Sequence, residues 1–291
     1  MIFQMKNRLI ILLVFVFTVH LSAQDDLESL LGSAPTNYEV INTFKSTRII
    51  NNHSIELFNP RQLDLRIAHR FGRLNSGMYE LYGLDQAKMR MGLEYGLMNN
   101  IMIGVGRSTY NKTYDGYIKY RFLKQTKGEK NIPVTMVAFS NIAINSLKQN
   151  FPDYPFTGRI SFCNQLMIAS KINTNFSIQL MPSWVHWNMV EFSEDQNDIF
   201  VVGLGCRYLV TKSVSINTEY FVRINESEIN TELYNNSFSI GVDIETGGHV
   251  FQLHITNSMP MHESGFMTRT QGDWFDGGIH FGFNISREFH L

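Results

Sequence analysis

The chain has 291 residues, 44% of them hydrophobic, and carries a formal charge of −1 at pH 7. So even a balance leaves no basic footprint for nucleic acid, which is excluded as a partner. The two cysteines, Cys163 and Cys206, form no CxxC pair, so metal and redox cofactors have no ligand set to stand on.

Lys6 and Arg8 precede an apolar run from Leu9 to Val19 that ends at Leu21-Ser22-Ala23, the pattern of a secretory signal peptide over residues 1–23. The run is too short to cross a membrane as a helix, which takes about 20 apolar residues. No cysteine follows the expected cut, so no lipid anchor is predicted there. Residues 24–60 form a separate N-terminal segment, read as periplasmic or as a plug. Within it, 25–31 suits a short helix, and 40–50, with Lys45 and Arg48, suits an extra strand or a plug in a lumen.

From residue 61 to the end the dominant signal is alternation with period two, which sends successive side chains to opposite faces of a strand. Over 87–97 one face carries Ala87, Met89, Met91, Leu93, Tyr95 and Leu97, and the other Lys88, Arg90, Gly92, Glu94 and Gly96. The last strand repeats the pattern, with only Arg287 breaking its apolar face. Twelve strands are predicted, near 61–71, 87–97, 100–110, 113–123, 133–144, 158–170, 174–184, 197–210, 213–223, 234–246, 248–258 and 277–291. Their lengths suit tilted membrane strands. Long and short connections roughly alternate, as outer loops and periplasmic turns do in bacterial barrels. The exceptions are a short connection at Asn111-Lys112 and a long one over 124–132. The fold expected is all-β: a transmembrane up-and-down antiparallel β-barrel over 61–291, with both termini in the periplasm and 72–86, 145–157, 185–196 and 259–276 outside.

Three segments carry a resemblance. GLDQAKMRMGLEYGL (83–97), IGVGRSTY (103–110) and KTYDGYIKYRFL (112–123), together with His69-Arg70-Phe71-Gly72, resemble an uncharacterised family of β-barrel outer-membrane proteins from Bacteroidetes. The resemblance implies a bacterial outer-membrane barrel, with membrane lipid and the barrel-insertion machinery as its partners. It implies no catalytic residue, because the family has no established activity.

If the apolar faces meet lipid, the alternate residues line the lumen. Arg66, Arg70, Lys88, Arg90, Lys119 and Arg121 then face Asp64, Glu94 and Asp115 on a net basic wall, while Arg207 and Arg223 accompany Glu219, Asp243 and Glu245 on a slightly acidic one. Opposed walls of this kind suit a narrow channel for small polar or charged solutes. The alternative is a non-conducting structural or binding barrel that uses its outer loops, 259–276 and the Trp184/Trp187 region, for a partner or glycan. A third reading, an outer-membrane lipid hydrolase, would need His69 and Ser108 within hydrogen-bond reach, yet alternation puts them on opposite faces. His254 and His280 could both project inward, but two imidazoles alone make a weak metal site. Cys163 and Cys206 fall on opposite faces and are expected to stay free thiols.

Overall fold

The structure is a computed structural model that describes residues 37–148, 154–225, 227–246 and 249–291. The expected signal peptide and the helix over 25–31 lie outside the described residues. Strand β1 is Asn37–Glu39, and the remaining strands are β2 Gln62–Arg73, β3 Ala87–Met98, β4 Ile101–Ser108, β5 Thr113–Leu123, β6 Thr126–Gly128, β7 Thr135–Asn145, β8 Ile160–Lys171, β9 Phe176–Trp187, β10 Asp198–Leu209, β11 Val214–Arg223, β12 Phe238–Thr246, β13 His249–Thr256 and β14 His280–His290. Twelve of them close into one antiparallel barrel, with β14 pairing β2 across the seam. Closure leaves no unpaired strand edge, which is the condition for a sheet to lie in lipid.

Alternation decides what each wall meets. Along β3 the outward Met91, Leu93 and Leu97 are exposed, whereas Arg90 and Glu94 are buried. An arginine or lysine turned to the bilayer midplane costs roughly 2–4 kcal/mol, so one-residue register slips are strongly opposed. His69 illustrates the outward face, stacked on Phe283 with ring centroids 4.9 Å apart and tilted against Phe71. Arg287, the break in the last apolar face, lies 5.1 Å over the Phe289 ring.

The two irregular connections have local causes. The short one is a single 3-10 turn, Tyr110–Lys112, with Asn111 and Lys112 at positive φ. The long one carries β6, which pairs antiparallel with β1 beyond the end of the barrel. There the Gln125 side chain accepts from the Lys171 backbone N–H and donates to the Lys171 carbonyl, tying neighbouring turns together.

Two stretches outside the strands occupy the barrel interior. The first is 42–58, whose tip turns tightly: Ser54 N–H donates to the Thr47 carbonyl and Ile49 N–H to the Asn52 carbonyl. Residues 43, 44 and 46–55 of it are buried apart from Lys45, which is half-buried. The second is 257–272. Residues 259–276 were expected to stand outside as a loop, but Met261 through Thr268 are buried and include the short helix Glu263–Thr268. The reason is in its composition: Met261, Phe266 and Met267 gain nothing from water, and Phe266 meets Phe221 edge-on at 5.3 Å. Strand glycines make room for this filling. A Cβ on Gly104 would sit 2.3 Å from the Tyr117 ring, and one on Gly205 would sit 2.4 Å from Ile49 Cδ1.

Candidate functional site

The candidate site is the lumen and its two mouths. Of the lumen candidates read from the sequence, Arg66, Arg70, Arg90, Glu94, Asp115, Lys119, Glu219, Arg223 and Asp243 are buried inside the barrel, as are Asp64 and Arg207. Lys88 is exposed near the outer rim, beyond the filled section. Arg121 and Glu245 are half-buried towards the other end, where Arg121 donates to the Asn99 carbonyl and Glu245 pairs with Lys45 at 2.5 Å.

Most of these charges do not face open water. Strand pairing sets Arg90 on β3 and Asp115 on β5 to reach each other across Gly106 of β4, and the guanidinium engages the carboxylate through two nitrogens. Arg223 donates to the Tyr234 carbonyl and Asp243 accepts from Gln252, while Arg66, Arg70, Glu94 and Lys119 engage 42–58. Arg48 stands between walls: its guanidinium lies 3.7 Å from Glu94 and 3.1 Å from Glu263 on the inward loop. Glu94 also accepts from Thr47 Oγ1 at 2.5 Å, and Arg66 donates to Ser46 Oγ and Thr47 Oγ1. Arg70 donates to Asn51 Oδ1, and Lys119 to the Glu56 carbonyl.

Glu219 does something different. Its carboxylate accepts from the backbone N–H groups of Ile50, Asn51 and Asn52 at 3.3, 2.8 and 3.1 Å, so the turn forms a concave anion nest around it. Gln179, Gln252 and Asn284 satisfy further backbone groups of the same turn. Buried backbone polar groups need partners, and here the barrel wall supplies them.

Away from the charges, Ile49, Ile50, Ile55 and Phe44 share one apolar cluster with Val137, Phe139, Met167, Met181, Val201 and Phe221. His53 sits where the two environments meet, against Tyr117 and Phe139 and 3.3 Å from Glu263. Burial, reinforced by Arg48 and Lys119, pushes its imidazole well below the usual histidine range. Burial does the same, more moderately, to His262 on the inward loop.

The mouths are open. The outer one is a cavity of about 330 Å³ lined by residues that include Arg73, Arg269 and His280. The inner one, about 270 Å³, is lined by Glu56, Asp64, Glu245 and Glu288 beside Lys45 and His249. Between them, the space beside Arg48, Arg66 and Arg90 amounts to about 10 Å³, room for one water molecule at most.

The other sequence candidates separate cleanly. Ser108 is buried inside while His69 faces outward, so they make no nucleophile–base pair. His254 and His280 are both buried, but no group of three or more His, Cys, Asp or Glu side chains arranged for a metal occurs among the described residues. Cys163 is buried against Met267 and Cys206 lies on the outward face, and both are free. Sequence reasoning offered Arg48 as part of an extra strand or a plug without naming its partners, and it missed His53 and Glu263 as interior partners of the wall. A usable signal was present in β7 and β10, where Val137, Phe139, Ile199 and Val201 place apolar groups on the supposedly polar inner face.

Several solved structures are similar to this chain. The COG4313 outer membrane channel from Pseudomonas putida F1 is 11% identical, with 80% of this chain and 97% of that chain covered and a TM-score of 0.50. The KdgM porin is 9% identical over 79% of this chain and 99% of its own, with a TM-score of 0.48. The NanC porin is 8% identical over 79% and 100%, with a TM-score of 0.47. At such identities the likeness is one of fold. No curated protein matches the sequence. A family model described as a membrane-bound beta barrel domain (DUF5777) matches residues 44–289. The chain is a membrane-bound β-barrel and belongs to that family.

Proposed function

We propose that this protein is a narrow outer-membrane channel for small polar or charged solutes, and that the structure is its closed state. On this reading residues 1–23 direct export, the insertion machinery assembles 61–291, and 42–58 act as a plug that must shift before solute passes. The observation that carries the proposal is Arg48, which joins the barrel wall at Glu94 to the inward loop at Glu263. A purely structural filling could use apolar side chains throughout, since buried ion pairs stabilise little compared with well-packed hydrophobic residues. Charges shared between separate segments suit a contact that forms and breaks.

The test is single-channel recording from the refolded full chain in a planar bilayer. Wild type is expected to open rarely and Arg48→Ala often, with Arg90→Glu/Lys119→Glu shifting the ion selectivity of the openings. Silence from a folded Arg48→Ala barrel would assign the molecule to the second reading, a non-conducting barrel that works through its outer surface. The near-filled section beside Arg48 favours that reading specifically. No hydrolase is proposed, given the placement of His69 and Ser108.

A further inference from the structure

We propose that the outer vestibule is a binding site for a small hydroxylated organic anion. It rests on the channel reading only for its direction of use, naming the solute class that would arrive at the mouth.

The first observation is charge. Arg73 and Arg269 line the roughly 330 Å³ cavity with the buried His280 beside them, and none of its lining residues is an aspartate or glutamate. The inner mouth, of similar size, is lined by four carboxylates, so the sign reverses along the barrel axis. A guanidinium in a concave, partly desolvated place attracts carboxylate or phosphate through charge-assisted hydrogen bonds.

The second observation is that the two guanidinium groups are available, with a preoriented imidazole beside them. The Arg73 side chain has no hydrogen-bond or ion-pair partner among the described residues. Arg269 is held rather than neutralised: its guanidinium lies 3.6 Å over the Trp187 ring, and the Glu191 carboxylate stays 3.8 Å away at an exposed position. Stacking fixes the plane of the fork before any ligand comes, which lowers the ordering cost of binding. His280, 4% exposed, is oriented by the Phe71 carbonyl at 3.0 Å.

The third observation concerns neutral groups. Tyr110 and Gln271 line the same cavity, and the Tyr110 hydroxyl and the Gln271 amide have no hydrogen-bond partner among the described residues. A phenol and an amide each donate and accept, which matches hydroxyl groups on a ligand. The cavity is at the small end of the range for ligand pockets, about 300–1,000 Å³, and suits a molecule of about six carbons.

The probe is sodium gluconate, titrated calorimetrically into the full refolded chain in detergent, with glucose as the uncharged match. Heat-modifiable migration on a gel verifies the barrel in every sample. Gluconate is expected to give saturable heat and glucose none, with Arg73→Ala weakening gluconate at least tenfold. Arg73 lies at the exposed rim, so its removal leaves the folded interior intact. Absence of saturable heat from a folded barrel, equal binding of glucose, or unchanged affinity in Arg73→Ala would each overturn the assignment. No current is measured, so the binding result and the conductance result can fail independently.

Discussion

The two sides of the lumen hold the same inner segment by different physics. Strands β2 to β5 grip it with Arg66, Arg70, Glu94 and Lys119, through ion pairs and charge-assisted hydrogen bonds. Strands β7 to β10 present Val137, Phe139, Met167, Met181 and Val201, and hold it chiefly by burial against Ile49, Ile50 and Ile55, with uncharged hydrogen bonds at Gln165 and Gln179. Burial is non-directional and proportional to area, whereas buried charge demands a partner at each position. One side therefore supplies adhesion and the other supplies register.

The contrast can be broken on either side. Arg48→Ala should have the largest effect, about 3–5 kcal/mol, because it leaves Glu94 and Glu263 buried with fewer partners. Urea unfolding in lipid vesicles measures it, and a loss below 1 kcal/mol would mean that water already screens those carboxylates. Ile50→Ala tests the apolar side. Its expected cost is about 2–4 kcal/mol, as for other core truncations of this size, and it should leave ion selectivity untouched because no charge moves. The smallest effect belongs to Lys88→Ala, within about 0.5 kcal/mol in the same assay, since the side chain is exposed and makes no hydrogen bond or ion pair with the filling among the described residues. A large loss there would place the rim, too, under the control of the inner segment.

The barrel itself was legible because period-two alternation is local. Met89/Arg90/Met91 and Leu93/Glu94/Tyr95 declare their faces without knowledge of any distant residue. What fills the barrel was not legible in the same way. Asn51 meets Glu219 and Arg48 meets Glu263, contacts separated by 168 and 215 positions. No short window contains both partners. The expected transverse field between a basic and an acidic wall is altered for the same reason: Arg48 and Glu263 add charges from segments assigned to neither wall, and most of the wall charges are paired or hydrogen-bonded. The inward turn of 257–272 could have been suspected from Met261, Phe266 and Met267, whose burial demands an interior that only the closed barrel provides.

The pairing of β1 with β6 bears on how the molecule is made. It pins the chain just ahead of 42–58 to a turn at the inner end of the barrel. The segment that fills the lumen also precedes β2, the strand that closes the seam with β14. A finished barrel would have to be threaded, whereas an unfinished sheet can wrap around a turn already in place. The segment can thus serve as a mandrel during assembly, with Glu219 and Gln252 gathering onto its backbone before the cylinder shuts.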